Sequence, residues 1–416
     1  MLDILARDPA TRARAGLLHT AHGTVRTPAF VPLATKATVK GLLGPEVADL
    51  GYDMVLGNTF HLFLDPGPER IAGFGGLHDF MGWERPIITD SGGFQVFSMG
   101  HGTVADEIKG SRKHADRLGK VVSIGDDGVR FRSYLDGSDK FMAPETSMEI
   151  QTRLASDIAL VFDECTPFHV DRDYTERSTE RTHRWLERCL AWHGEHGAPG
   201  QLVYGISQGG VYEDLRKQST EVIAASGTPG VAIGGSLGAE KAQMYEVVDW
   251  ATSVLGGEHE AKPRHLLGIG EIDDLVRGVE LGIDSFDCAM PTRLGRHGVA
   301  LVPEPAKRWR VDLTAGRFKD DHGPIMDECP CPACALGLSR GYVRYLVHSR
   351  ELTGMRLLTL HNLAFVQRVM ADLRGAILAG TLAETARALR DGAPPGTAAP
   401  PVGAAPRSAR VVVDEL

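Results

Sequence analysis

One alternation constrains this chain more than anything else in it. Over about 250 residues, short apolar runs alternate with amphipathic stretches, and each run ends in a small or polar residue. The runs lie at 53–56, 86–89, 158–162, 202–206, 231–233, 265–269 and 283–286. Between several of them lie helix-patterned stretches at 145–156, 174–193, 213–225, 240–254 and 272–281. Strand, helix, strand at this spacing predicts a parallel sheet covered by helices. Seven runs, with one more to be found, predict an α/β chain built as a (β/α)8 TIM barrel. An open doubly wound sheet is the alternative. Ahead of this rhythm, the pieces 16–19, 23–28 and 29–32 read as short strands joined by turns, an N-terminal antiparallel cap.

The residues just past each strand carry the chemistry. They are Asn58 and His61; Asp90, Ser91, Gly92, Gly93, Phe94 and Gln95; Asp163, Glu164 and Cys165; Gln208, Gly209 and Gly210; Gly234, Gly235 and Ser236; Gly270 and Glu271; and Asp287. A parallel barrel brings all its strand carboxyl ends to one face, where active sites are built. Each aspartate alone reads equally well as a helix cap, but so many polar strand ends together predict a site. Asp287 is the most telling of them, because Ile283, Phe286, Cys288 and Met290 surround it. A lone buried carboxylate costs several kcal/mol, so Asp287 is paired, hydrogen-bonded or kept for chemistry. Arg293, Arg296 and His297 come next, spaced by glycine, as a surface that meets a polyanion would be.

Charge supports a selective anionic partner. The net charge of −9 argues against indiscriminate coating of nucleic acid. Between residues 291 and 361, however, eleven Lys and Arg face seven Asp and Glu, so this segment is near +4 and the remainder near −13. The 416 residues suit one barrel with additions, or two or three domains. No apolar run reaches the roughly 18 residues of a membrane span, and the N-terminus lacks signal-peptide character, so the default expectation is cytoplasmic. A polar insertion at 100–121 leads into a hairpin, 122–124 with 129–131, through the turn 125–128; the insertion reads as a surface loop or lid. Past His361, a helix is expected over 362–378 and a second through residue 390. From 391 to 416 a Pro/Gly/Ala-rich tail is expected to be disordered.

Six cysteines in so long a chain make no disulfide framework, but Cys329, Cys331 and Cys334 crowd into six residues. Their turn is stiffened by Pro330 and Pro332. Three thiolates plus one imidazole suit tetrahedral Zn2+, and His361 is the chosen fourth ligand, with His348 and His322 as competitors. Four protein ligands close the coordination sphere, so this zinc is expected to be structural.

Several motifs coincide: Asp90-Ser91-Gly92-Gly93-Phe94-Gln95-Val96, Phe162-Asp163-Glu164-Cys165-Thr166-Pro167, Gly205-Ile206-Ser207-Gln208-Gly209, Phe286 through Arg293, and the Cys329/Cys331/Cys334/His361 set. In this order, over residues 10–385, the chain resembles the tRNA-guanine transglycosylases of the bacterial queuosine pathway. The resemblance implies a barrel with a zinc-bearing insertion, forming one catalytic unit over 1–390 with the zinc-binding subdomain at about 303–365. It implies exchange of the wobble guanine of tRNAs with GUN anticodons (Asp, Asn, His, Tyr) for the base preQ1. By motif, Asp287 resembles the covalent nucleophile, and Asp90 the general base that handles the incoming base's proton. Ser91, Gly92, Gly93, Phe94, Asp163, Gln208, Gly235 and Glu240 fall in base-binding positions. Asp163 and Gln208 read the purine edge, Phe94 stacks on the base, and Glu240 supports the pocket wall. Gly268, Ile269, Gly270, Glu271, Ile272, Asp273 and Asp274, with Thr292, Arg293, Leu294, Gly295 and Arg296, fall in RNA-contacting segments. A homodimer is implied as well.

The residues agree with those roles. Discriminating a purine edge needs a carboxylate and an amide in fixed positions. Displacement at a sugar carbon splits into two easier steps when a carboxylate forms a covalent intermediate. Three departures stand out: Ser236 where an apolar residue is common, Leu267 where methionine is usual, and an insertion at 100–121 longer than the family pattern implies. The rival readings are a catalytically silent, zinc-containing tRNA-binding accessory subunit, and a metal-dependent barrel hydrolase. The first is disfavoured by the presence of Asp287 and Asp90, the second by strand ends that hold aspartates and glycines rather than clustered histidines.

Overall fold

The computed structural model describes residues 2–98, 121–167 and 170–396. Three antiparallel strands open the chain, β1 (Leu2–Arg7), β2 (Arg14–Thr20) and β3 (Gly23–Thr27), ordered β1-β2-β3. The next strand, β4 (Ala29–Ala34), corrects an expectation: it belongs to the barrel and not to the cap. It runs parallel to its neighbours on both sides, pairing Leu33 with Leu56 on one and Phe30 with Phe286 on the other. Its near-continuous apolar character suits a strand buried on both faces. Pro28 and Pro32 make the same stretch read as turn-bounded.

The remaining barrel strands are β5 (Val55–Gly57), β6 (Ile87–Thr89), β10 (Ile158–Leu160), β11 (Leu202–Ser207), β12 (Gly230–Ile233), β13 (Arg264–Leu266) and β14 (Ser285–Cys288). They close in the order β10-β11-β12-β13-β14-β4-β5-β6, a parallel eight-stranded barrel. The helices between strands match the amphipathic stretches closely: Pro144–Arg153, Arg172–His196, Glu213–Ala225, Lys241–Ser253 and Ile272–Glu280. Asp287 lies within the last strand, opposite Val31, and not beyond its end.

Between β6 and β10 a side sheet forms from β7 (Val121–Gly125), β8 (Gly128–Arg132) and β9 (Asp139–Met142). The first two are the expected hairpin. Its turn is clamped to the helix Arg172–His196 by Asp126, which accepts from Arg184 at 2.8 Å and Arg181 at 3.2 Å. The third strand is an addition to the expected pair, since Asp139-Lys140-Phe141 alternates like an exposed edge. The polar insertion at 100–121 lies outside the described residues up to residue 120, with Val121 opening β7, and the tail from 397 onward lies outside them too. Residues 391–396 lie against the body, with Gly396 N donating to Asp372 at 2.7 Å.

Beyond the barrel come β15 (Val299–Leu301) and β16 (Arg310–Asp312), an antiparallel pair. The long helix Leu352–Ala379 then runs through His361 instead of starting after it. Gly354 and the polar run Thr359, His361 and Asn362 mask its first half in the sequence. Those polar residues are buried: Asn362 accepts from Leu301 N at 2.7 Å and donates to the carbonyls of Pro291 and Val299 at 3.0 Å each. The same helix presses on the helix Met290–Arg296, where a Cβ on Gly295 would stand 2.7 Å from Thr359 N. The segment after Asp287 is thereby fixed by its neighbour. Among the described residues, no helix is long and apolar enough to cross a membrane.

Candidate active site and metal centre

Three carboxylates meet at the carboxyl ends of the strands, from β6, β10 and β14. Asp90 comes directly after β6, and its oxygens accept from Thr59 N at 2.8 Å and from the Asn58 amide. Burial pushes its pKa up to about 7, and the charges of Asp287 and Asp163 push the same way, against the hydrogen bonds from Thr59 and Gly92. A carboxyl so poised exchanges a proton near neutrality, which is what acid–base work requires.

Asp163, just past a buried strand end, is almost wholly enclosed. It accepts from Ser91 Oγ at 2.8 Å and from Gln208 Nε2 at 2.6 Å. Burial raises its pKa to about 6, although both hydrogen bonds oppose the shift. Gly93 must be a glycine here, since a Cβ would come within 2.5 Å of the Asp163 carbonyl oxygen. Gln208 is in turn held by its neighbours: its N–H donates to Ser219 Oγ at 3.1 Å. Arg216, fully buried, reaches the carbonyls of Ser207 at 2.8 Å, Gly210 and Gly234 at 3.0 Å each, and Ser236 at 3.3 Å. One arginine therefore ties together the two loops that carry Gln208 and Gly235. Sequence reasoning misses Arg216, because it sits within a helix, away from any strand-end signal.

Asp287 is 7% exposed, with Gly268 N donating to its Oδ1 at 3.1 Å. His265 Nε2 lies 3.3 Å from the same oxygen. Like Arg216, this histidine gives no signal in the sequence, where it reads as one member of an apolar strand. Phe94 stands exposed at 47% on the short helix Gly93–Ser98, open to a partner from outside.

Other expected site residues are held differently. Glu240 is exposed at the start of the helix Lys241–Ser253. Gly268 touches Asp287, while Ile269 and Gly270 continue the loop and Ile272 is buried at its helix start. The acids beyond them are occupied by the protein: Glu271 by Arg310 and Arg308, Asp273 by Trp309 Nε1 at 3.0 Å, and Asp274 by Tyr245 at 2.7 Å and Lys241 at 2.9 Å. Thr292 is buried and accepts from Arg296 at 3.2 Å. Arg293 is exposed. Arg296, on the helix that begins three residues past Asp287, lines a groove with Lys40, Leu352, Met355 and Arg356, and Arg356 there is paired with Glu46.

Cys329, Cys331, Cys334 and His361 form a second centre, their ligand atoms all within 4.8 Å of one another. The three sulfurs stand 3.8, 3.5 and 3.4 Å from His361 Nδ1. The edge of a tetrahedron with Zn–S of about 2.3 Å and Zn–N of about 2.0 Å is roughly 3.5 Å, so this set fits a tetrahedral ion. His361 Nε2 donates to the Leu301 carbonyl at 2.8 Å, which leaves Nδ1 as the ligand atom. Arg368 adds a donor 3.4 Å from Cys329 Sγ, as three clustered thiolates require. His322 and His348 are not part of this group.

A family model described as Queuine tRNA-ribosyltransferase matches residues 8–394. Curated relatives of the same name match along nearly their whole length. The protein from Roseiflexus sp. (strain RS-1) is 48% identical over 390 residues, covering 92% of this chain and 96% of its own. That from Pelotomaculum thermopropionicum is 44% identical over 380 residues, with 91% and 95% covered. The Symbiobacterium thermophilum protein is 43% identical over 387 residues, with 93% and 90% covered.

Proposed function

The chain belongs to the queuine tRNA-ribosyltransferase family, and from that premise we propose that it exchanges the wobble guanine of GUN-anticodon tRNAs for preQ1 by double displacement. The observation that carries this reading is the convergence of Asp90, Asp163 and Asp287 at one barrel mouth, two of them with pKa values raised by burial. Three carboxylates with separate environments suit three separate duties.

Asp163 and Gln208 bind the purine edge, the carboxylate accepting from ring and amino N–H groups and the amide serving a carbonyl. Gly93 and Gly235 let the backbone lie close to the flat base, and the exposed Phe94 receives it when it leaves the anticodon stack. Asp287 then attacks the ribose C1′. Its oxygen forms a bond to C1′ as the bond from C1′ to guanine N9 breaks, and the electron pair stays on the purine. Asp90, neutral in part near pH 7, supplies the proton that guanine takes up. Its carboxylate afterwards removes the corresponding proton from the incoming base, whose nitrogen attacks C1′ and releases Asp287. Arg293 and Arg296 hold the RNA backbone flanking the target.

The Cys329/Cys331/Cys334/His361 set holds one zinc ion, which fastens the 329–334 turn to the long helix Leu352–Ala379 and takes no part in the exchange. Residues 1–390 act as one catalytic unit, and two such units pair as a homodimer. The test is incubation with tRNA and labelled guanine or preQ1, scoring label in the RNA. Tight tRNA binding without exchange of either base would point to a silent RNA-binding subunit instead.

A further inference from the structure

His265 is wholly buried on β13, and its imidazole is turned toward the adjacent strand β14. Ser285 pairs with it across the parallel ladder, and Asp287, two residues on, projects from the same side of β14. His265 Nδ1 is 2.8 Å from Ser285 Oγ, and Nε2 is 3.3 Å from Asp287 Oδ1. The Nε2 contact is close but not aligned as a hydrogen bond, so among the described residues this buried nitrogen has no hydrogen-bond partner. Such an orphan is costly, and the nucleophile is the polar group within reach of it. Among the described residues, donors approach Asp287 only at Oδ1, from Gly268 N and from His265.

We propose that His265 is a positioning residue for Asp287. Ser285 donates its hydroxyl proton to Nδ1, which fixes the neutral tautomer with its proton on Nε2. That proton, with the Gly268 N–H, grips Oδ1 and leaves Oδ2 facing the sugar carbon. The grip tightens when the carboxylate moves toward C1′, which gives the orphan nitrogen its partner where geometry matters most. The inference rests on Asp287 being the nucleophile.

Single-turnover formation of the covalent enzyme–RNA adduct tests it, followed on a denaturing gel alongside tRNA affinity and melting temperature. His265→Phe should slow adduct formation by roughly 100-fold, the order expected for a nucleophile misplaced by about an ångström. Affinity for tRNA should change less than about twofold. His265→Gln places an amide N–H near the position of Nε2 and should recover to within about tenfold of the wild-type rate. Ser285→Ala leaves the ring in place, so it keeps the test open if the Phe variant fails to fold, and it should slow the step several-fold. A wild-type rate in His265→Phe or in Ser285→Ala, or equal rates for the Phe and Gln variants, would overturn the proposal. Asp287→Asn run beside them separates the two readings. An adduct in that variant sinks the nucleophile assignment itself, whereas its absence together with a fast His265→Phe sinks only the role of the histidine.

Discussion

Gly235 and Gln208 are packed so closely that a Cβ built on the glycine would stand 2.0 Å from the amide Oε1. Gly235 also sits at φ +75°, where a side chain costs about 1–2 kcal/mol. Gly235→Ala should therefore displace Gln208 and loosen its 2.6 Å bond to Asp163. The expected result is a KM for the free base raised by at least about tenfold, with kcat lowered less and tRNA affinity unchanged. Steady-state kinetics with guanine as the varied substrate would show it.

Ionisation of Asp90 gives a second test. Its folded pKa, about 7, is raised by burial above the ordinary carboxylate value near 4. Between those limits the folded chain holds a proton that the unfolded chain has released. The stabilising effect of that proton is complete below about pH 4 and fades as pH rises through about 7. In Asp90→Asn this dependence disappears, so the melting temperature of the variant relative to wild type should climb from pH 4 to pH 7 and then level off. A constant difference across that range would contradict the burial argument.

Asp157 runs the other way. Burial pushes its pKa up, but the close approach of His78 and the bonds from Ile87 N and His22 outweigh that and hold it below the usual range. Its Oδ1 accepts from His22 N at 2.8 Å and lies 2.9 Å from His22 Nδ1, and its Oδ2 accepts from Ile87 N at 2.8 Å and lies 3.2 Å from His78 Nε2. The carboxylate thus joins the cap hairpin to β6 and to the loop before β10. Its contribution is present above about pH 4 and lost as pH falls below it. Asp157→Ala should cost about 2–4 kcal/mol at pH 7 in chemical denaturation, and less at pH 3.

Much of the barrel and its mouth is legible in the amino-acid sequence alone, and the gaps have physical causes. Buried parallel strands are continuous apolar runs, and strand ends such as Asp90, Asp163 and Gln208 announce themselves as abrupt polar residues. β4 escapes that pattern because Pro28 and Pro32 carry the signature of turns, and only closure against β14 shows it to be a barrel strand. The long helix looks shorter than it is because buried polar residues that serve other elements interrupt its apolar pattern near His361. His265 and Arg216 act by direction: which way a side chain points depends on register and packing, and neither is encoded in spacing. The acids Glu271, Asp273 and Asp274 share a segment with the loop that reaches Asp287, but their partners are protein groups that only the fold brings near.

Metal binding is checked without reference to activity. Elemental analysis of purified protein should give one zinc per chain, and Cys331→Ala should lose it. Because the set ties the 329–334 turn to the helix Leu352–Ala379, the same variant should melt at a lower temperature, as should wild type after prolonged chelation. Free-thiol counting would then rise by three on denaturing chelation. A zinc-free native protein that melts like the zinc-loaded one would rule out the structural role.

The covalent step is the sharpest test of the whole assignment. Asp287 is held at Oδ1 by Gly268 N, among the buried side chains of Phe286 and Met290, so that little water competes for the carbon it would attack. Attack at C1′ leaves an ester between Asp287 and the RNA, and only after guanine departs can a second base enter, so the kinetics should be ping-pong. Asp287→Asn should bind tRNA through the surface around Arg293 and Arg296 yet give no RNA band shifted with the protein on a denaturing gel. Asp90→Asn keeps the nucleophile and should give that band on long incubation. Its exchange of labelled guanine should fall by roughly 10²–10⁴-fold, the range attributed to a positioned acid–base group. The two variants therefore part company on the gel while both fail in exchange. An RNA adduct in Asp287→Asn would mean that another group attacks the sugar, and the carboxylates would have to be reassigned.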